Sequence, residues 1–129
     1  MCLRGASAVE NLLKRNASDH LHVLVVWEPI LPTDWARPNR WVRSRIADPR
    51  VTQFWDKDHL VAKELDQHLP SNTALHCCRR AGVLWDVEAL YSPGAQWERA
   101  SPEFVDGPVL KATDRMEKAL RKTTEQASF

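Results

Sequence analysis

Apolar residues recur at Ala6, Val9, Leu12 and Leu13, while Glu10, Asn11, Lys14 and Arg15 fall on the opposite side. Spacing of three and four predicts an amphipathic helix opening directly after Met1-Cys2. Asn16 to Asp19 form a polar loop, and Leu21-His22-Val23-Leu24-Val25-Val26-Trp27 comes next as a near-continuous, β-branched apolar run. Such a run predicts a strand buried on both faces, as in a parallel sheet flanked by helices. Glu28-Pro29-Ile30-Leu31-Pro32 ends it, because proline has no N–H to give to a central ladder.

Residues 32–56 form a long, irregular connection. Thr33 or Asp34 can cap a short turn around Trp35, and 39–46 reads as a short helix with Trp41, Val42 and Ile46 on one side, broken at Asp48-Pro49. Arg50 to Asp56 reads as an extended piece on the surface. Asp58 is placed to cap a helix whose stripe is Leu60, Val61, Leu65 and Leu69, ending at Pro70. Ser71 to Gly82 reads as loop and Val83 to Tyr91 as a strand. The turn Ser92-Pro93-Gly94-Ala95 returns it into Gln96 to Arg99 as an antiparallel hairpin, and Pro102 and Pro108 confine the next segment to an edge or loop. A last helix spans Leu110 to Gln126, with Leu110, Met116, Ala119 and Leu120 inward and Glu117 and Arg121 paired outside.

The order is helix, parallel strand, helical connection, antiparallel hairpin, C-terminal helix. A right-handed crossover helix ahead of a parallel strand implies another strand before that helix. Placing one ahead of Cys2 gives an α/β domain of thioredoxin-like plan, so residues 1–129 read as one such domain lacking its first central strand. Without that strand, Val23 to Trp27 and Val83 to Tyr91 must pair directly, leave backbone groups unpaired, or borrow a strand. Marginal stability or self-association through an unpaired strand edge is the expected consequence.

Composition narrows the function classes. In 129 residues, 18 Lys+Arg against 17 Asp+Glu leave a formal charge of +1, which is no electrostatic footprint for nucleic acid or an anionic membrane. No apolar run approaches the roughly 20 residues of a membrane span, and no signal peptide precedes the first helix. Three cysteines argue against a disulfide-stapled secreted scaffold, so cytoplasmic residence is expected. Six tryptophans, at 27, 35, 41, 55, 85 and 97, stand against one tyrosine; they read as large core and shoulder residues, with an aromatic-lined cleft as the alternative.

Four strings carry a resemblance: Cys2-Leu3-Arg4-Gly5-Ala6, Val25 to Asp34, Asp48-Pro49-Arg50-Val51-Thr52-Gln53-Phe54-Trp55-Asp56, and Trp85-Asp86-Val87-Glu88-Ala89-Leu90-Tyr91-Ser92-Pro93-Gly94-Ala95-Gln96-Trp97. With them the chain resembles a group of bacterial thioredoxin-like proteins over most of residues 2–97. In such proteins a strand leads into Cys-x-x-Cys, or a version with selenocysteine first, and the second cysteine opens the helix. Cys2 matches that second, resolving position. The attacking residue would precede Met1; were it selenocysteine, its codon would be read as a stop and Met1 would be the next start. The resemblance thus implies a thiol (or selenol) redox protein, a thiol–disulfide oxidoreductase or selenoprotein, acting on a thiol or disulfide substrate without a cofactor. It departs from the thioredoxin-like pattern at Gly82-Val83-Leu84-Trp85, where no proline precedes the strand.

The candidate chemistry is sparse. A cysteine in the first turn of a helix faces the positive end of the peptide dipoles, which favours its thiolate, and Arg4 adds a nearby cation. Asp86, on the face of Leu84 and Glu88, is either a proton acceptor beneath the active cysteine or a hydrogen-bonded structural carboxylate. Cys77 and Cys78 are adjacent; a bond between neighbours is strained, so reduced thiols in a loop are expected. His76-Cys77-Cys78 suggests a soft metal or metalloid, but a fourth ligand at the usual spacing is lacking and no metal is expected. His20 and His22 read as a surface pair. Against the redox reading (catalytic residues Cys2 and Asp86) stands a non-catalytic binding protein built on a Trp-rich cleft.

Overall fold

Leu3–Arg15 is the first helix, α1, and its apolar stripe forms as the spacing requires: Ala6, Leu12 and Leu13 are buried while Lys14 and Arg15 stay exposed. The computed structural model describes residues 3–31, 33, 36–70 and 73–127; Cys2 and the turn expected around Asp34 and Trp35 lie outside them. The structure is mixed α/β and divides into two compact units, Met1–Val61 and Ala62–Phe129.

In the first unit, β1 (Val23–Trp27) pairs in parallel with β2 (Val51–Trp55), in register from Val23 opposite Val51 to Trp27 opposite Trp55. The partner of β1 is therefore the segment read as a lone extended piece. Val51-Thr52-Gln53-Phe54-Trp55 is β-branched and aromatic, and a pleated neighbour turns that weak propensity into a strand. One face of the pair, with Val23, Val25, Trp27 and Val51, packs on Ala6, Leu13 and Ile46. The other carries Leu24 and Phe54, 65% and 48% exposed, so β1 is not buried on both faces.

Polar side chains fix this packing. Asn39 caps α2 (Arg40–Arg43) by accepting from the Val42 N–H at 2.9 Å, which brings Val42 and Ile46 inward. Gln53 of β2 donates to the carbonyls of Arg43 (2.9 Å) and Ile46 (3.1 Å) and accepts from the Trp27 indole N–H at 2.8 Å. Arg50 donates to the carbonyls of Leu13 (2.8 Å), Asn16 (2.5 Å) and Ser18 (2.9 Å), so its guanidinium satisfies the end of α1 and the loop behind it. The Asp48 carboxylate holds the other side of that guanidinium at 2.7 Å.

The helix α3 (Leu60–Gln67) starts on Asp56, whose two carboxylate oxygens accept from the N–H groups of Leu60 (2.9 Å) and Val61 (2.8 Å). Asp56, not Asp58, is thus the cap. It follows the last residue of β2, its own N–H donates to the Trp27 carbonyl at 2.8 Å, and this anchoring aims the carboxylate at the orphan helix donors.

In the second unit the core gathers Leu65, Leu75 and Leu84, with Ala62, Leu69, Val87, Ala89, Tyr91 and Val105 packed around them. The segment read as loop ends in a 3₁₀ turn, His76–Cys78, and a short hairpin of β3 (Arg79–Arg80) with β4 (Val83–Leu84). Ala81 and Gly82 join them at φ 51° and 78°, the two left-handed residues that suit a right-twisted two-residue hairpin. Asp86, at φ 54°, interrupts the strand expected to run unbroken to Tyr91. The chain resumes as β5 (Glu88–Leu90), antiparallel to β6 (Phe104–Asp106). The returning strand is therefore not Gln96 to Arg99, whose backbone folds on itself through Arg99 N–H and Ala100 N–H to the Gln96 carbonyl.

The Gly107–Pro108 peptide is cis and leads into α4 (Val109–Ala127). Ala112, Thr113, Met116 and Leu120 form its buried stripe, whereas Leu110 is 49% exposed because the inward face begins further in, at Ala112. Glu117 and Arg121 pair across one turn as their spacing requires. Among the described residues, no helix is long and apolar enough to cross a membrane.

Candidate functional site

The densest chemistry lies where the 3₁₀ turn, the Asp86 kink and the β6–α4 junction meet. Cys78 is held inside by its backbone: its N–H donates to the Leu75 carbonyl and its carbonyl accepts from Trp85, both at 3.0 Å. Its side chain is 1% exposed, whereas Cys77 is exposed. The two are joined in a disulfide, in place of the reduced loop thiols expected. The segment is not a free loop, and with Cys78 fixed between Leu75 and Trp85 its neighbour lies within bonding reach.

Gly107 closes over this bond. A Cβ there would come within 2.7 Å of Cys78 Sγ and 2.6 Å of the Asp86 carbonyl oxygen, so only glycine fits between them. Asp86 is not on a strand face with Leu84 and Glu88. It caps α4, accepting from the Val109 N–H at 3.2 Å, and burial raises its carboxyl against the pull of that bond.

Two further carboxylates, to which no role attaches from sequence, stand beside it. Glu88 faces Asp106 across β5–β6, and Arg115 holds Asp106 at 2.5 Å. Burial first, then the negative charges of Asp106 and Asp86, pushes Glu88 up to about 7, with Arg115 pulling the other way. Glu88 Oε1 is buried and accepts no hydrogen bond from a described residue. The available signal was the setting of Glu88 between Val87 and Ala89, an acid inside an apolar strand.

The first unit offers a smaller pair. Glu28 lies 2.9 Å from His59 Nδ1; burial raises the Glu28 carboxyl, with His59 opposing and the Asp56 charge adding to the rise. His59 holds this position at φ 59°.

The described tryptophans are spread over both units. Arg45 stacks 4.5 Å over Trp41 in one, and Trp97 packs on Tyr91 with centroids 5.6 Å apart in the other. A cavity of about 390 Å³ in the second unit is lined by Lys63, Asp66, Arg79 and Leu84 among others, and by no tryptophan. His20 and His22 are both exposed, and no group of His, Cys, Asp or Glu among the described residues is placed to hold a metal ion.

Compared with known proteins, the chain matches no family model, no curated protein and no solved structure.

Proposed function

We propose that this chain is a thioredoxin-like thiol (or selenol) redox protein in which Cys2 is the resolving cysteine. The observation that carries the reading is the placement of α1: its first residue directly follows Cys2, and its apolar face lies on the parallel pair β1–β2. A thiolate at the start of a helix of 13 residues gains from the aligned peptide dipoles, by roughly 0.3–1 kcal/mol. In the exchange that the resemblance implies, an attacking thiolate or selenolate other than Cys2, Cys77 and Cys78 opens a substrate disulfide and releases one substrate thiol. Cys2 then attacks the mixed species, takes over the bond and releases the second thiol.

The test is the reaction of the chain with an aromatic disulfide reagent at pH 6, with Cys2→Ser as the blank. Cys2 is expected to react about twofold faster than free cysteine, the larger thiolate fraction being partly offset by the weaker nucleophilicity of a depressed thiol. A rate equal to that of free cysteine overturns the assignment.

A further inference from the structure

We propose that the Cys77–Cys78 disulfide is a second, independent redox site, reduced and reformed by exchange with thiols, with Cys77 the sulfur attacked and Cys78 the sulfur that leaves.

Stability does not account for this bond. A disulfide acts mainly by closing a loop in the unfolded chain, and its effect grows with the length of that loop. Neighbouring residues close almost none, so the unfolded ensemble loses little when they are joined. The two sulfurs are also unlike in access. Exchange needs a thiolate to approach one sulfur along the line of the bond. Cys78 is 1% exposed and covered by Gly107, while Cys77 stands exposed at the surface of the turn. Attack is therefore confined to Cys77.

The electrons and protons balance with two thiols. The first, as thiolate, bonds to Cys77 Sγ, and the Cys77–Cys78 bond breaks with its electron pair on Cys78. The second attacks the outer sulfur of the mixed disulfide, expels Cys77 and leaves as the oxidised disulfide of the reductant. The two protons given up by the reductant end on Cys77 and Cys78. The reverse sequence, driven by the same disulfide class, restores the bond. The outgoing sulfur stays in place to resolve the mixed disulfide on Cys77, so the thiol adduct is short-lived at this pair.

The probe is glutathione, applied to the folded chain carrying Cys2→Ser so that the outcome is independent of the first site. The protein is equilibrated folded at stepped ratios of reduced to oxidised glutathione, quenched with acid, then unfolded, alkylated and read by peptide mass. The expected result is reversible conversion between no alkylated thiol and two, with circular dichroism unchanged. In Cys78→Ser the glutathione adduct accumulates on Cys77; in Cys77→Ser, Cys78 is modified at least tenfold more slowly. A disulfide that persists in excess reduced glutathione until the protein unfolds overturns the proposal, as does a pair that stays reduced in excess oxidised glutathione. Modification of Cys78 ahead of Cys77 overturns the assignment of roles.

Discussion

Glu88 and Asp106 face each other across β5–β6, two carboxylates at one register position with Arg115 bound to Asp106. Like charges directly opposite in a sheet repel, and here the more buried one holds its proton up to about 7. The unfolded glutamate releases it near 4.5, so this group's contribution to stability is full below that pH and is lost as pH rises through about 7. Glu88→Gln removes the loss and is expected to stabilise the chain at pH 8 by about 1 kcal/mol, with solvent screening allowed for. Thermal melts from pH 5 to 8 check this; identical slopes for both proteins would count against it.

Asp48 works in the opposite sense. Its hydrogen bonds to Arg50 hold the carboxyl at about 2 against the usual 3.8. That contribution is present above 3.8 and is lost as pH falls through about 2. In Asp48→Asn the acid limb of the stability curve is expected to be shallower between pH 4 and 2. Denaturant titrations at those two pH values measure the difference.

Arg50 gathers three carbonyls and a carboxylate on one side chain. Arg50→Lys keeps the charge but not the fork, leaving carbonyls at the end of α1 unsatisfied. The expected cost is about 2 kcal/mol, read as a lowered urea midpoint with unchanged slope. A lysine variant equal to wild type would show that charge alone suffices.

Removing the Asp56 carboxylate in Asp56→Ala is expected to cost about 1–2 kcal/mol through the lost cap of α3, while Asp58→Ala is expected to be near neutral. Equilibrium unfolding of the two variants side by side distinguishes the cap from its sequence neighbour.

Gly107→Ala would press a methyl group against a backbone oxygen and a fixed sulfur. Neither can retreat as a flexible side chain would, so a loss of about 1–3 kcal/mol is expected, measured by thermal melting.

Local periodicity made α1, β1, α3 and α4 legible in the sequence, because each carries its own apolar stripe or run. The elements it left out depend on partners. Val51 to Trp55 becomes a strand only beside β1, and Phe104–Asp106 only beside β5, so neither is a strand when read alone. Asp58 stands nearer the start of α3 than Asp56, and only the anchoring of Asp56 to Trp27 shows which carboxylate reaches the helix. The site was partly visible: Asp86 and the cysteine pair stand out in the sequence, but Gly107 and Asp106 meet them only through the β6–α4 junction. Cys2, on which the redox reading rests, lies outside the described residues.

The connectivity of β1 to β2 also sets an order of events in time. The two strands meet between residues about 28 positions apart, so the first ladder bond of that unit must be preceded by closure of a long loop, costing about 3 kcal/mol of chain entropy. The β3–β4 hairpin turns within two residues and faces no such delay. Asn39 and Gln53, which draw the intervening segment in, then govern how fast the first unit forms as well as how firmly it holds. Refolding rates of Gln53→Ala, followed through the chain's tryptophan fluorescence, would register that as slower folding with little change in the unfolding limb.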